Sequence, residues 1–387
     1  AGRDWAVYGS GANVAVVLSA VAAQQTGEGV DRLSSIENLV TGAGANAYVV
    51  AGTDVEVAGA ATIAQLAALD DANGDGDLSC GSVADALANL FADGEAHPYI
   101  VPGTDVAATG TATVAQLAAL DAANGDGALT CTALTDTWQN VLSDEAAGFL
   151  AGVGTVTLAD YDLGQTTVAE VRALLETPNL RDGAGEELEL ADLAFTLLDT
   201  AANLASWGPM APEIVGRASA VEATSAASVP QAETIHDRNA AAVYDVADSP
   251  YAIAYGGADA VTAAVDLAAT SAATAEQAVA IVGRDGPEGD LAFGIRDTFA
   301  NTDGIAAAVR DAATDIAVTT QSYGWPPFLT VGQAATVLGY GNAGRTDIQY
   351  VRGTVAEIDG FVAVNQEAAG PTGIGYDFWV LDTPTAI

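Results

Sequence analysis

Apolar and polar residues follow each other along this chain in a pattern that recurs at a fixed interval. The stretch 62–80 (TIAQLAALDDANGDGDLSC) returns almost letter for letter at 113–131 (TVAQLAALDAANGDGALTC), 51 residues later. In each copy, apolar residues at helical spacing precede an Asn-Gly-Asp-Gly turn, and a short strand follows that ends in cysteine. Fixed-period similarity is typical of stacked repeats, so we predict a repeat protein.

Weaker copies of the pattern continue to about residue 346, and each predicts a strand, a helix, a turn, a second strand and a second short helix. The predicted first helices cover Ile63–Asp70, Val114–Asp121, Val168–Glu176, Val229–Asp237, Thr274–Gly283 and Val331–Tyr340. A Gln or Glu recurs at the third position of these helices: Gln65, Gln116, Glu170, Gln231, Gln277 and Gln333.

An aspartate precedes each second helix, at Asp85, Asp136, Asp199, Asp248 and Asp297. We interpret these aspartates as N-caps, because a carboxylate there accepts hydrogen bonds from unpaired backbone N–H groups. The longer interval between the second and third aspartates predicts an insertion, which we place at Pro178–Glu187.

Units of this size cannot bury their apolar faces alone, so we predict an α/β solenoid. It would consist of about six strand-helix-strand-helix units with parallel strands over 55–346. A β-rich segment over 1–54 would precede it, and a β-rich C-terminal cap over 347–387 would follow. The cap contains three strand-like runs, IQYVRGTV, FVAVNQ and YDFWVLD.

The chain's two cysteines, Cys80 and Cys131, occupy equivalent repeat positions, which suggests a disulfide and an oxidising compartment. Both strands of a unit can lie in one sheet, or each can join a different sheet. A disulfide needs α-carbons within about 7 Å, which favours one strand per unit per sheet. Free thiols would favour the single sheet.

Two sets of phrases carry a resemblance to a known class of proteins. The segment 27–46 contains Asp31, Leu33, Ser35, Ile36, Glu37, Asn38 and Gly42. It resembles the segments that precede calcium repeats in RTX-type secreted bacterial proteins, although Ala47 and Tyr48 replace the expected calcium-binding continuation. The phrases DTAANL and AxVAQLAALDAAN are similar to tandem repeats of large RTX-type and surface-associated proteins. The resemblance implies a secreted or cell-surface location and an adhesive or structural role.

Charge excludes several classes of partner. Against 51 Asp and Glu there are 11 Lys and Arg, all of them arginine, and the net charge is −40. Nucleic acids and anionic membranes are therefore not expected partners. A saline habitat or a GC-rich genome would each explain the acidic composition. No apolar run is long enough for a membrane span.

One loop has the spacing of a calcium site. Asp71, Asn73, Asp75 and Asp77 match the D-x-N-x-D-G pattern of an EF-hand loop, so calcium is the one cofactor we predict. Ser82 stands where the bidentate Glu is expected, and the second copy begins with Ala122. A plain turn that admits positive φ explains both copies equally well.

Aromatic loops are candidate contacts for a partner or a glycan. They contain Tyr323, Trp325 and Phe328 in one loop and Trp207 in another, and packing within the repeat is the alternative. The triplet 236–238 (HDR) is the one grouping that suggests acid-base catalysis. A histidine placed there for its favourable charge at a helix C-terminus is the better explanation. We predict no catalytic residues and no enzyme.

These observations predict a non-enzymatic extracellular structural protein that self-associates into a filament, sheath or surface layer. One alternative is a calcium-dependent adhesin segment that binds cell-surface glycan through its aromatic loops. A second alternative is an enzyme that acts on polysaccharide from a repeat scaffold.

Overall fold

The computed structural model describes residues 5–7, 24–25, 30–31, 38–41, 51–52, 54–284, 289–319, 329–340, 346–347, 350–365 and 377–380. The chain is mixed α/β and divides into two compact units. The first unit consists of Ala1–Leu163 with Ala173–Leu193, and the second of Gly164–Arg172 with Ala194–Ile387.

The described elements are mostly short strands and helices that alternate along the chain. The strands are β1 (Trp5–Val7), β2 (Gln24–Gln25), β3 (Val30–Asp31), β4 (Asn38–Thr41), β5 (Asp54–Ala61), β6 (Leu78–Ala86), β7 (Phe91–Ala92), β8 (Glu95–Ala96), β9 (Asp105–Ala112), β10 (Leu129–Asp136), β11 (Val153–Leu158), β12 (Asp162–Thr166), β13 (Leu180–Arg181), β14 (Ala194–Asp199), β15 (Val221–Ala223), β16 (Val246–Asp248), β17 (Leu267–Ala269), β18 (Leu291–Ala292), β19 (Gly294–Thr298), β20 (Asp315–Thr319), β21 (Leu329–Thr330), β22 (Thr346–Asp347), β23 (Tyr350–Gly353) and β24 (Asp377–Val380).

The helices are α1 (Ile63–Asn73), α2 (Val114–Asn124), α3 (Trp138–Val141), α4 (Asp144–Ala147), α5 (Val168–Leu175), α6 (Ala201–Leu204), α7 (Ala211–Arg217), α8 (Val229–Arg238), α9 (Pro250–Tyr255), α10 (Ala258–Thr262), α11 (Ala275–Val282), α12 (Phe299–Gly304), α13 (Ala307–Ala312), α14 (Val331–Leu338) and α15 (Val355–Asn365). Three 3-10 helices cover Leu87–Leu90, Leu150–Gly152 and Leu190–Asp192.

The first unit is built on an eight-stranded sheet whose strands follow chain order, β1-β4-β5-β6-β9-β10-β11-β13. Neighbouring strands of this sheet pair in parallel. One face carries apolar side chains that are buried under the helices, among them Val55, Val83, Val106, Leu134 and Val156 from the strands and Leu66, Leu69, Leu117 and Leu120 from α1 and α2. Burial of this stripe is the main stabilising contribution to the unit.

Both strands of each of the first two repeat copies lie in this one sheet, because β5, β6, β9 and β10 are consecutive neighbours. The arrangement that we favoured from the cysteines, with the two strands of a unit in different sheets, is therefore wrong here. Each of these four strands pairs with the next member of the same sheet along the chain, as is usual for parallel strands joined by crossover connections.

The predicted disulfide between Cys80 and Cys131 is also wrong, since both cysteines are free. Strand β9 lies between the two strands that carry them. Cys131 on β10 pairs with Ala108 on β9, and Ala108 pairs in turn with Asp85 on β6. Asp85 lies five residues beyond Cys80 along β6. The α-carbons are thus displaced by roughly 10 Å across the sheet and roughly 16 Å along it, too far for a disulfide.

The second unit contains shorter parallel sheets with helices packed beside them. Their strand orders are β12-β14-β15, β16-β17-β18, β19-β20-β22 and β21-β23-β24. Helix α8 packs against α6, α7 and α10, and α11 packs against α9 and α13. Buried isoleucines from these elements form much of the core, including Ile214, Ile235, Ile253, Ile281 and Ile316.

The predicted first helices are confirmed, as α1, α2, α5, α8, α11 and α14, with ends that differ from the predicted ones by a few residues. The insertion at Pro178–Glu187 folds back on itself, and an isolated antiparallel β-bridge joins the backbones of Arg181 and Glu187. The C-terminal cap differs from the prediction: the run that begins at Phe361 lies in helix α15, not in a strand. Of the predicted β-rich segment over 1–54, the described part contains the strands β1 to β4, and residues 8–23 lie outside the described residues.

Candidate functional site

The recurring aspartates each join two segments of the chain through one carboxylate. Asp85 lies near the end of β6, beside the start of α1. Its Oδ2 accepts a hydrogen bond from the Ile63 backbone N–H at 2.9 Å. Its Oδ1 accepts from the Ala86 backbone N–H at 2.7 Å and from Asn89 Nδ2 at 2.8 Å. We call this arrangement the carboxylate clamp.

The same carboxylate clamp recurs in both units. Oδ2 of the aspartate accepts from the first residue of a preceding helix in the pairs Asp136–Val114, Asp199–Val168, Asp248–Val229 and Asp297–Ala275, at 2.9–3.1 Å. Oδ1 accepts from the asparagine four residues on in the pairs Asp136–Asn140, Asp199–Asn203 and Asp297–Asn301. Ala252 occupies that asparagine position after Asp248.

The clamp corrects the predicted role of these aspartates. The N-caps of the helices that follow them are the next residues, Thr137, Thr200, Ser249 and Thr298. The aspartate instead satisfies the first N–H of the helix before it, one of the donors that a helix leaves unpaired. Parallel pairing explains the contact, because it places the carboxyl end of one strand next to the helix that follows its neighbour.

The recurring Gln and Glu residues complete the same helix starts. Thr62 accepts from the Gln65 N–H, and the Gln65 side chain accepts from the Thr62 N–H at 2.8 Å. Equivalent capping boxes start α2, α8, α11 and α14. In α1, α2, α8 and α11, the clamp pairs the first N–H of the helix and the capping box pairs the third. In α14 we assign the capping box alone.

At Asp85 and Asp136 the clamp hydrogen bonds also favour the ionised aspartate. Partial burial alone would raise the pKa of Asp85, but the hydrogen bonds from Asn89, Ile63 and Ala86 outweigh it and hold the pKa below its ordinary value. The pKa of Asp136 is lowered in the same way, against the effect of its partial burial. The positive end of the helix dipole adds to this preference for a negative charge.

Arginines stabilise the opposite ends of several helices in the second unit. Arg238 Nη1 donates to the Leu204 carbonyl at the end of α6 at 2.6 Å, and Arg284 donates to Gly256 after α9. Arg310 donates to the carbonyls of Thr302 and Asp303 in α12. These cations therefore act on helix-end carbonyls, which carry partial negative charge.

The predicted calcium loop forms a tight turn after α1. Asn73 is fully buried, and its Nδ2 donates to the Gly76 carbonyl at 2.8 Å. Asp71, Asp75 and Asp77 are exposed. The buried Asn124 makes the same bond to the Gly127 carbonyl, so an asparagine amide closes the turn in both copies. Calcium binding at Asp71, Asn73, Asp75 and Asp77 stays a prediction.

The two thiols have different surroundings although their strands are equivalent. Cys80 is partly exposed and donates to the Ser82 carbonyl at 2.9 Å, whereas Cys131 is 5% exposed and donates to Ala133. Burial raises the pKa of the Cys80 thiol, and the backbone hydrogen bonds with Ser82 and Ala61 only partly offset this. A raised pKa leaves little thiolate at neutral pH, so Cys80 is a weak nucleophile.

Trp207 is the most exposed large apolar side chain in the described part of the chain, at 82%. The guanidinium of Arg238 lies 5.0 Å from the centre of its ring, a cation–π distance. Met210, in the same loop, has a positive φ of 63° and is 37% exposed. The loop therefore presents an aromatic face that is held from behind by an arginine.

The triplet at His236 does not assemble a set of reacting groups. Asp237 is exposed, and Arg238 is engaged by α6 and by Trp207. The His236 Nδ1 is buried and has no hydrogen-bond partner in the described part of the structure. The other predicted contact residues, Tyr323, Trp325 and Phe328, lie outside the described residues.

Comparison with known proteins finds no protein-family model and no curated protein sequence that matches the chain. Among the described residues, no three His, Cys, Asp or Glu side chains come together as a group able to hold a metal ion. The described helices include none with the length and apolar character needed to cross a membrane.

Sequence reasoning located the clamp aspartates and the capping Gln residues, but it missed what they bind. It also missed the helix-end arginines and a second link between strands. In that link, Asp54, Asp105 and Asp266 accept from backbone N–H groups of the next strand region, at Asp77, Ala128 and Asp290. The recurrence of Asp at the start of these strands is the signal that could have found it.

Proposed function

We propose that this chain is a non-enzymatic extracellular structural protein, built as an α/β repeat solenoid that assembles with copies of itself. The observation that carries the proposal is the carboxylate clamp. In each clamp, the recurring aspartate of the repeat accepts hydrogen bonds from backbone N–H groups of adjoining segments. Chemistry that is repeated for holding neighbours together suits a scaffold.

Assembly would use the ends of the parallel sheets. Among the described strands, the eight-stranded sheet ends at β1 and at β13, which Glu187 partly covers through a β-bridge, and the sheet of β21, β23 and β24 ends at β24. An open sheet end offers backbone donors and acceptors to another chain, and a contact between unlike ends does not close on itself. Copies joined in this way form a filament or a layer.

The test is the size and shape of the purified chain in solution. Sedimentation velocity and negative-stain microscopy should show elongated assemblies that grow with protein concentration. Growth should be stronger at high salt, because a net charge of −40 repels a second copy at low salt. Compact monomers at every concentration and salt level, with calcium or with chelator, would contradict assembly.

The exposure of Trp207 favours a second candidate, a calcium-dependent adhesin segment that binds glycan on a cell surface. An exposed aromatic ring on a rigid element can stack on the apolar face of a sugar. On a glycan array, Trp207→Ala should remove binding, whereas Tyr251→Ala, which removes another exposed ring on α9, should retain it. Loss of binding in both variants, or in neither, would count against a site at Trp207.

A further inference from the structure

A cavity of about 370 Å³ opens beside Cys80 in the first unit. Strand residues Glu56, Leu78 and Cys80 line one side, and Pro98, Tyr99 and Val101 line the other. Its volume is at the lower end of the range of roughly 300–1,000 Å³ that small-molecule sites occupy. Proline, valine and leucine give the cavity a mainly apolar wall, so a ligand with methyl or methylene groups would be desolvated favourably.

The lining side chains that carry polar hydrogens already donate them in hydrogen bonds to other groups of the protein. The Tyr99 hydroxyl donates to Asp70 Oδ2 at 3.0 Å, and the Cys80 thiol donates to the Ser82 carbonyl. The Ser79 hydroxyl lies 3.5 Å from the Val55 carbonyl. The groups that remain available to a ligand are therefore acceptors and the ring face of Tyr99, which a hydrogen-bond donor or a cation complements.

The electrostatic environment of the cavity is negative. Among the described lining residues, Glu56 is the charged one, and it is exposed. Desolvation, the hydrogen bond to Asp70 and the charges of Asp70 and Asp71 raise the pKa of Tyr99 to about 12. The ring of Tyr99 also lies 4.9 Å from that of His97, which is not among the lining residues.

We propose that this cavity binds a small organic ammonium compound, with its charge near Glu56 and the face of Tyr99 and its carbon groups against Pro98, Val101 and Leu78. The ligand's positive charge is complementary to the acceptors and π face that the lining leaves unused. Its alkyl groups match the apolar wall. Among the described lining side chains, none offers an uncommitted donor to an anion or a neutral hydrogen-bond acceptor.

The second repeat copy is an internal comparison for the proposal. Ala107 replaces Glu56 there, Ala122 replaces Asp71 and Thr132 replaces Gly81. The equivalent thiol, Cys131, is buried. Glu56, Asp71 and a partly exposed thiol are thus specific to the first copy, whereas Asp121 matches Asp70 and the helical phrase and the turn are shared. The repeat scaffold by itself does not require the three groups that are specific to the first copy.

Protection of the Cys80 thiol from alkylation measures occupancy of the cavity. The full chain is treated with the neutral reagent iodoacetamide at constant ionic strength, and alkylation of Cys80 and Cys131 is followed by peptide mass spectrometry. Choline should slow alkylation of Cys80 severalfold and saturably, while the slow reaction of Cys131 stays unchanged. Its uncharged isostere 3,3-dimethylbutan-1-ol should protect much less. Nα-acetyl-lysine amide, which presents the ammonium of a protein side chain, distinguishes a protein partner from a free amine.

Two variants test the assigned contacts. Glu56→Gln and Tyr99→Leu should each raise the choline concentration needed for half protection about fivefold, the equivalent of about 1 kcal/mol for a cation–π or partly exposed charge contact. Glu95→Gln removes an exposed carboxylate from β8, outside the cavity, and should leave protection unchanged. The proposal is overturned by no protection from any ammonium compound, by equal protection from the neutral isostere, or by full choline protection in both variants.

Discussion

At the scale of single residues, the clamp aspartate does three things at once. Asp136 pairs the first N–H of α2, pairs the N–H of Thr137 and holds Asn140. Hydrogen bonds to a charged acceptor are stronger than those between neutral groups, and an unpaired donor at a helix start is costly. One side chain therefore stabilises two helix starts.

Replacement of Asp136 tests this role. We expect Asp136→Ala to lower the free energy of unfolding by about 2 kcal/mol, because it combines the loss of a helix-start acceptor with the loss of a side-chain contact. Denaturant titration followed by circular dichroism measures the change.

Two variants serve as references for that measurement. Asp126→Ala removes an exposed carboxylate from the adjacent turn and should change the unfolding free energy by less than about 0.5 kcal/mol. Asp248→Ala should cost less than Asp136→Ala, because no asparagine follows Asp248 at the clamp position. An Asp136→Ala variant as stable as Asp126→Ala would show that the clamp contributes nothing.

The lowered pKa values of Asp85 and Asp136 predict how stability depends on pH. An unfolded aspartate titrates near pH 3.9, and the folded clamp titrates lower, so the clamp's contribution is complete above about pH 5. It is lost as the pH falls through the folded pKa. The difference in unfolding free energy between the wild type and Asp136→Asn should therefore shrink below about pH 4. A difference that stays constant or grows on acidification would contradict the assignment.

At the scale of elements, the close approach of turns and strands depends on glycine at particular positions. A Cβ added at Gly127 would lie 2.2 Å from the carbonyl oxygen of Thr104, a residue that is 1% exposed. We expect Gly127→Ala to destabilise the first unit by about 2 kcal/mol or more, because the backbone of Thr104 cannot move without disturbing β9. Thermal unfolding measures the effect.

Gly81→Ala, in strand β6 of the same unit, is the control. A Cβ at Gly81 has no atom within 4 Å, and its φ is not in the left-handed region. It should therefore leave the unfolding temperature nearly unchanged or raise it slightly, since alanine restricts the unfolded chain more than glycine does. An equal fall in unfolding temperature in the two variants would mean that the close contact with Thr104 is not the cause of the destabilisation.

The elements that the sequence predicted well are those set by local patterning. The helical phrase, its capping Gln and the Asn-Gly turn lie within a few residues of each other, so α1 and α2 were predictable. Strand neighbours depend on contacts between residues that are distant in sequence, and two equivalent cysteines suggested the wrong pairing. At Phe361 an apolar run fits a strand or a helix, and the Thr354–Glu357 hydrogen bonds show a helix start.

The same limit applies to the candidate site. The aspartate at a repeated position was visible in the sequence. Its hydrogen-bond partner was not, because sheet pairing determines which helix start the aspartate meets. For Asp85 this partner is the first N–H of a helix 22 residues earlier. The cavity at Tyr99 could not be predicted either, because its two walls come from strands of the repeat and from a connecting segment that the repeat pattern does not specify.

The strand order predicts how the protein responds to a reducing agent. Because β9 separates the strands of Cys80 and Cys131, dithiothreitol should leave the unfolding midpoint unchanged. Alkylation of the unfolded chain without prior reduction should modify both cysteines. A loss of stability on reduction, by the several kcal/mol typical of a structural disulfide, would contradict the strand order in the first unit.

At the scale of the whole molecule, the excess of carboxylates opposes compaction. The net charge of −40 is spread over 387 residues. Much of this charge lies outside the clamps, on exposed residues such as Asp71, Asp75 and Asp77. Repulsion among exposed charges is long-ranged at low salt, and it falls as the screening length shortens from about 10 Å at 0.1 M salt to about 3 Å at 1 M.

We therefore expect sodium chloride to raise the midpoint of thermal unfolding steadily between about 0.1 M and about 1 M. If the effect is screening, calcium chloride should also stabilise the chain without saturating at low concentration, and Asp75→Asn should leave both responses nearly unchanged. Stabilisation that saturates at submillimolar calcium and disappears in Asp75→Asn would instead place an ion in the 71–77 turn, with Asn73 turned outward to join it. A midpoint that does not respond to either salt would mean that charge repulsion does not limit the stability of this fold.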